Sequence, residues 1–259
     1  MSEMNYKVSA HYYDSAYASK ADLTDLPFYL EEARQSTGPV LELACGTGRI
    51  TLPIAREGIE ICGVDRAPAM LEKLRDKLKQ EDKGVRQRLE VTKGDMRNCR
   101  LGRRFALVII PFRAMQHMYS IDDQVAALET AKAHLAPDGR LVFDVFMPRL
   151  DKIYGGLGDE HFELEWEQDG HRIRRYFCKD SSDILEQSFT GRFIFRAYRG
   201  EELVSEESDV LKMGFYTYKQ VQLLVKHVGL EVVAEYGDFD RRSLGPEGPQ
   251  MIFALKAKD

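Results

Sequence analysis

Apolar and polar positions follow two different rhythms along this chain. From Val40 to Phe146, short and nearly continuous apolar runs recur at Val40–Leu43, Ile59–Val64, Leu89–Thr92, Phe105–Ile110 and Leu141–Phe146. Runs of this length, bounded by turn formers, read as strands buried on both faces. Between them the spacing becomes helical: Arg49–Glu57, Ala67–Lys79 and Asp122–Leu135 repeat apolar residues at three and four, as in Met70, Leu71, Leu74 and Leu78. Upstream, Leu26–Gln35 reads as a helix with Asp25 as its N-cap and Pro27 in its first turn. Thr37-Gly38-Pro39 breaks the chain before the first strand. Strands alternating with helices predict a parallel sheet.

The second rhythm begins near residue 150. Phe162, Leu164 and Trp166 alternate with Glu163, Glu165 and Glu167, and Asp169-Gly170 sits where a two-residue hairpin turn belongs. Ile173–Lys179, Ile184–Tyr198 and Leu203–Gly214 continue as extended segments, with Arg199-Gly200 as a further turn. This predicts an antiparallel meander inserted into the α/β unit. Helical spacing returns at Tyr218–His227, closed by Gly229. Glu231–Tyr236 and Met251–Lys256 supply two more strands. The expected organisation is an N-terminal helical lid (1–36), an α/β domain made of 37–149 and 216–259, and an antiparallel subdomain (150–215) that covers the substrate.

Composition narrows the class. Hydrophobic residues are 44% and charged residues 31% of 259, an ordinary globular profile, and the net charge of −5 argues against a nucleic-acid partner. Arg97, Arg100, Arg103 and Arg104 read as a solvated loop rather than a basic patch. Cys45, Cys62, Cys99 and Cys178 have no C-x-x-C spacing, so neither a zinc site nor a disulfide framework is expected. Met1–Ala10 lacks the apolar stretch of a signal peptide, and no run is long enough to span a bilayer. A cytoplasmic protein with no membrane partner and no bound metal is expected; the oligomeric state leaves no mark on the sequence.

Chemistry-bearing residues gather at the strand ends. The first strand runs through Glu42 into Ala44-Cys45-Gly46-Thr47-Gly48 and then a helix. Glycine lets backbone approach a ligand closely, and a helix start offers unpaired N–H groups. Thr51 stands where the dinucleotide fingerprint has its third glycine. Asp65 ends the second strand, where a carboxylate can accept both hydroxyls of a ribose. Asp95 and Met96 end the third, where carboxylate and thioether can hold an adenine.

Glu42–Gly48 resembles motif I of the class I S-adenosylmethionine-dependent methyltransferases. Gly63-Val64-Asp65-Arg66-Ala67-Pro68-Ala69-Met70-Leu71 resembles the motif that follows it, with Ala67 where serine is common. Lys93-Gly94-Asp95-Met96 resembles the adenine-binding third-strand motif. Leu135–Leu141 resembles the turn before the fifth strand, with Asp138 where glycine is common. The likeness spans residues 38–146, resumes weakly over 217–257, and outweighs an NAD-dependent oxidoreductase reading. It implies a Rossmann-like seven-stranded α/β sheet with its last strand antiparallel, here carrying the inserted β meander. It also implies S-adenosyl-L-methionine as cofactor and S-adenosyl-L-homocysteine as product. Carried onto matching positions, it implies cofactor contacts from Glu42, Ala44, Gly46, Gly48, Arg49, Asp65, Arg66, Met70, Asp95 and Met96, and from Pro111, Phe112 and Gln116 after the fourth strand.

Asn-Pro-Pro-Tyr, typical of methyltransferases acting on bases, is absent after that strand. His117 has the titration range of a general base and is equally readable as a histidine stacked on the cofactor or bonded to backbone. Arg113 can bind a substrate carboxylate or phosphate, or form an internal ion pair. Tyr12-Tyr13-Asp14-x-x-Tyr17 resembles the lid of amino-sugar and glycine-type N-methyltransferases, where a tyrosine reaches over the sulfonium. That makes Tyr13 the first candidate for cofactor contact and catalysis and Tyr17 the second; an aromatic helix anchor is the alternative. Trp166 and Tyr198 are candidate substrate contacts in the meander, alongside Tyr176, Phe193 and Phe195, all equally usable as that sheet's core. The expected function is methyl transfer to a small molecule, at nitrogen; a small-molecule O-methyltransferase or an inactive cofactor-binding protein are the alternatives.

Overall fold

The computed structural model describes residues 7–20 and 23–258, which divide into two compact units. Among the described residues the strands are β1 (Val40–Leu43), β2 (Ile61–Asp65), β3 (Leu89–Lys93), β4 (Phe105–Ile110), β5 (Leu135–Phe146), β6 (Glu160–Gln168), β7 (His171–Asp183), β8 (Ser188–Arg199), β9 (Glu202–Gly214), β10 (Leu230–Tyr236) and β11 (Gln250–Ala257). The helices are α1 (Lys7–Ala18), α2 (Asp25–Arg34), α3 (Thr51–Arg56), α4 (Pro68–Lys79), α5 (Lys83–Arg88), α6 (Ile121–Ala133), α7 (Leu150–Tyr154) and α8 (Tyr218–His227).

The larger unit, Thr24–Pro148 with Phe215–Asp259, is built on a seven-stranded sheet in the order β3-β2-β1-β4-β5-β11-β10. β11 runs antiparallel to both its neighbours and the remaining pairs are parallel. Apolar side chains cover both faces. Leu41, Leu43, Val108, Ile110 and Phe253 pack with Leu128 and Ala131 of α6 and Val221 and Leu224 of α8. Val40, Leu107, Ile109, Val142 and Ile252 pack with Phe28 and Tyr29 of α2, Ile54 of α3 and Leu71 and Leu74 of α4. This two-faced burial accounts for the continuous apolar runs.

Several boundaries differ from expectation. Thr24, not Asp25, precedes α2; Asp25 is its first helical residue. α5 was not foreseen: Lys83-Gly84-Val85-Arg86-Gln87-Arg88 holds one apolar residue, and the Asp82 side chain caps it by accepting the Val85 N–H. α6 starts after Ser120, whose hydroxyl accepts the Asp123 N–H, and ends before Leu135. β5 begins at Leu135, and Pro137-Asp138-Gly139 bulges out where the register with β4 shifts from Phe105↔Leu135 to Leu107↔Arg140.

The smaller unit, Met1–Leu23 with Arg149–Gly214, is a four-stranded antiparallel sheet in the order β6-β7-β8-β9, with α1 on one face. Asp169 (φ 52°) and Gly170 (φ 75°) are both left-handed, as the predicted two-residue hairpin requires. β7 runs on to Asp183, so Ile184–Gln187 is a turn rather than the start of β8, and the last hairpin turns at Gly200-Glu201. Tyr12 and Ala16 of α1 pack with Trp166, Ile173, Phe195 and Ala197, burying the sole tryptophan. The residues expected as one lid, 1–36, thus fall to different units: α1 packs on the antiparallel sheet and α2 on the seven-stranded one.

Candidate active site

The order of the larger sheet reverses between β1 and β4, and ligands of open α/β sheets bind at the carboxyl ends of the strands at such a point. The β1 turn there is left-handed at Ala44 (φ 63°), Gly46 (φ 55°) and Gly48 (φ 81°). A Cβ on Gly46 would meet no atom within 4 Å, whereas one on Gly48 would lie 2.3 Å from Leu74 Cδ1. Gly46 therefore leaves open space beside the backbone, and Gly48 lets the turn press against α4.

Asp65, at the end of β2, faces this turn. Its carboxylate accepts the Gly46 N–H at 2.8 Å and the Ala67 N–H at 2.8 Å. Burial raises its pKa while these bonds oppose the rise. Each oxygen keeps a lone pair for a ligand hydroxyl. Glu42 is buried in β1, bonded by the Thr51 hydroxyl at 2.5 Å, and burial pushes its pKa up to about 8 against that bond and the charge of Arg49. Thr51 therefore has a task that a third glycine could not perform. Arg49 forms a bidentate pair with buried Asp25 (2.9 and 2.5 Å), and its guanidinium lies 4.4 Å from the Phe112 ring centroid. Met70 of α4 and Met96, three residues after β3, are buried, and Arg66 is exposed.

Asp95, expected as an adenine acceptor, is already bonded to Arg97. Its carboxylate takes the Arg97 N–H (2.9 Å), Nε (3.0 Å) and Nη2 (2.7 Å), and hydrogen bonding to Arg97 holds its pKa low. An amino group would have to share it. Arg97 also pairs with Asp123 at 2.9 Å, Arg103 with Glu60 and Glu90, while Arg100 and Arg104 donate to the Cys99 and Leu135 carbonyls. The four arginines are tied down individually.

The loop after β4 is the most constrained part of the site. Pro111 is buried, and Phe112 (φ 57°) and Arg113 (φ 62°) are consecutive left-handed residues with side chains, at about 1–2 kcal/mol each. Both of their N–H groups donate to Asp144 of β5, Phe112 at 2.8 Å and Arg113 at 2.9 Å. Tyr29 of α2 donates its hydroxyl to the same carboxylate at 2.6 Å. Asp144 is 1% exposed; burial pushes its pKa up to about 6, with the Tyr29 bond and the Arg113 charge opposing. The 3-10 turn Ala114–His117 follows. Gln116 is fully buried and its Oε1 accepts the Phe146 N–H at 3.0 Å, so one end of its amide ties the loop to β5. The Tyr216 hydroxyl lies 2.6 and 2.9 Å from the Met115 and Met118 carbonyl oxygens, clamping the turn that carries half-buried His117. The Arg113 guanidinium stands 5.9 Å from the Phe146 ring.

Asp25, Tyr29, Asp144 and Tyr216 escaped the sequence reading. Asp144 had a signal: it is the one acidic residue in Leu141-Val142-Phe143-Asp144-Val145-Phe146.

In the smaller unit Tyr13 and Tyr17 are half-buried on α1 with ring centroids 4.5 Å apart, and Arg175 lies 5.3 Å from the Tyr17 ring. Trp166 is 7% exposed in that unit's core, against Tyr12 and Phe195, which leaves it little surface for a substrate. Tyr198 lies between the guanidiniums of Arg172 (5.5 Å) and Arg174 (5.3 Å). Among the described residues no group of His, Cys, Asp and Glu is placed to hold a metal ion, and no helix is long and apolar enough to cross a membrane.

Residues 40–139 match the family model described as a methyltransferase domain. A dTDP-3-amino-3,4,6-trideoxy-alpha-D-glucopyranose N,N-dimethyltransferase of Streptomyces venezuelae is 27% identical over 48% of this chain and 49% of its own length. The cypemycin N-terminal methyltransferase of a Streptomyces species is 26% identical over 84% of this chain and 82% of its own. The chain spans about half the length of most of the curated relatives it matches. Among solved structures, the CcbJ methyltransferase from Streptomyces caelestis superposes with a TM-score of 0.80 at 23% identity, covering 96% of each chain. Residues 40–139 thus match a methyltransferase domain, and the larger sheet that carries them has the fold of the solved methyltransferases it superposes on.

Proposed function

We propose that this chain is a class I methyltransferase that transfers a methyl group from S-adenosylmethionine to a nitrogen of a small acceptor. The observation that carries the reading is the left-handed turn Ala44–Gly48 with open space at Gly46 and the Asp65 carboxylate bonded beside it. These residues fit the cofactor. Asp65 keeps acceptor capacity for two ribose hydroxyls, Met70 and Met96 offer thioethers, and buried Glu42 offers a carboxyl oxygen to a ligand N–H. Ala44, Gly46, Gly48, Arg49 and Arg66 would complete the cradle, with Asp95, Pro111, Phe112 and Gln116 towards the fourth strand. When bound, the cofactor supplies a methyl group activated on a sulfonium.

What remains for the protein is orientation and proton handling. Orientation of two reactants can be worth about 7–11 kcal/mol, and the clamped loop 111–118 has the rigidity this needs. An amine acceptor arrives mostly protonated at neutral pH and must lose that proton before its lone pair can attack. His117 is the group on that loop suited to take it. Arg113 on the same loop is the candidate for an acceptor anion, and Tyr13 and Tyr17, with Tyr198, are the aromatic candidates from the smaller unit. Nitrogen is favoured by the relatives, one acting on an amino sugar and one on a peptide N-terminus.

The test is a panel of amine and hydroxyl acceptors with S-adenosylmethionine, scored by S-adenosylhomocysteine release and product mass. Methylation of amines is expected, and transfer to hydroxyls alone overturns the nitrogen assignment. Cofactor binding without turnover across the panel supports the inactive binding protein instead. His117→Ala should lower kcat about 100-fold, recovering in part at high pH, with cofactor affinity unchanged. A parent-like rate at every pH, measured beside Tyr13→Phe, shows that His117 takes no proton.

A further inference from the structure

The loop after β4 holds two successive non-glycine residues in the left-handed region, Phe112 and Arg113, the one such adjacent pair among the described residues. Consecutive N–H groups in this conformation point to one side and form a concavity that binds an anion. Here the anion comes from the protein itself: Asp144 fills it with one oxygen on each N–H. The carboxylate is held in turn by the hydroxyl of Tyr29, one turn along α2 from Asp25. Asp25 grips Arg49 of the β1 turn, and Arg49 lies over the ring of Phe112. One face of α2 therefore reaches the loop by two routes, through Asp144 to its backbone and through Arg49 to its ring.

We propose that Asp144 and Tyr29 are positioning residues for methyl transfer: together they fix the Phe112–Arg113 step, and with it the direction in which Arg113 and the turn bearing His117 are presented. The assignment rests on the methyl-transfer reading for its effect on rate, and on geometry alone for its effect on the loop. An ionised carboxylate accepts from both amides and from the phenol; a protonated one gives up an acceptor site to its own proton. Transfer therefore has an acid limb to which Asp144 contributes beside His117; Asp144 sits among Tyr29 and Asp25 from α2, Arg113 from the loop and its amides. The Tyr29 bond favours the ionised form, so removing it moves that limb to higher pH.

Asp144→Asn and Tyr29→Phe test this, the second removing a single oxygen and so keeping the test open if the first fails to fold. In the protein without acceptor, amide exchange at Phe112 and Arg113 should quicken about tenfold or more in Asp144→Asn. Its kcat should fall by a similar factor while cofactor affinity by calorimetry stays within about threefold. Tyr29→Phe should keep most of kcat at high pH and shift the acid limb upward. Parent-like amide exchange in Asp144→Asn, or an acid limb that stays in place in Tyr29→Phe, overturns the proposal. A parent protein that transfers no methyl group overturns the reaction, and the exchange measurement still decides whether the pair holds the loop.

Discussion

The two sheets put their charged side chains in opposite places. Where β1 and β5 carry Glu42 and Asp144, the seven-stranded sheet is covered on both faces, so an ionisable group there is buried and must be partnered: Glu42 by Thr51 and Asp144 by Tyr29 and two amides, as Glu32 of α2 is by Arg140 and Arg241 at 3.0 and 2.6 Å. The four-stranded sheet buries one face on α1 and leaves the other to a ladder of exposed pairs, Arg174 with Glu165 and Arg196 with Glu160 and Glu206. Desolvating a charge is expensive, and pairing it on an open face gains little. A carboxylate in the buried middle of the larger sheet therefore marks a position with a task, whereas the pairs on the open face of the smaller sheet mark only its exposed side.

The largest effect expected from this contrast lies on the covered face of the smaller sheet. Trp166→Ala should cost about 3–5 kcal/mol of that unit's stability, followed by circular dichroism in denaturant; a change below 1 kcal/mol breaks the claim that this face is a working core. In the larger unit, Asp65→Ala should weaken S-adenosylmethionine binding about tenfold or more, since bonds to a charged group are worth about 1.5–3 kcal/mol each. Calorimetry showing parent affinity would remove Asp65 from the site. Glu42 sharpens the comparison through pH. Its folded pKa stands above the ordinary 4.5, at about 8, so folding takes up a proton between these values. Its contribution to stability is complete below that range and is lost as pH rises through it, by up to about 1.4 kcal/mol per pH unit. Glu42→Gln should flatten that slope in denaturation series, and identical slopes would mean that Glu42 is already ionised. The smallest effect belongs to the open face: Arg196→Met should change stability by less than about 1 kcal/mol, and a loss on the Trp166→Ala scale would make the ladder structural.

How far the sequence could be read follows the same division. β4 and α8 have the predicted bounds because nothing beyond their own periodicity sets them: an unbroken apolar run and a Thr217-capped amphipathic helix ending at Gly229. α5 could not be seen, because a cap and one buried valine hold it rather than a stripe. The seven-stranded sheet with its last strand antiparallel was implied by the family resemblance, whereas the strand order is given by the structure alone. In the site, Glu42, Gly46, Gly48 and Asp65 were legible because each acts next to its own strand end. Tyr29, Asp25 and Tyr216 were not, since partners 24 to 115 positions away give them their roles. The tie between Asp95 and Arg97 was missed for the opposite reason: two residues apart, they complete a local pair that the motif alone does not reveal.

Trp166 is the sole tryptophan of the chain, and it packs edge-on against the stacked rings of Tyr12 and Phe195 in the core of the smaller unit. Selectively excited indole fluorescence is thus a one-sided optical reporter, blind to the seven-stranded sheet except through whatever couples the two units. Far-ultraviolet dichroism weighs both sheets and every helix together. If the two signals melt at one temperature, the units unfold as a single cooperative body; if they part, the gap between the curves reads out their independence directly.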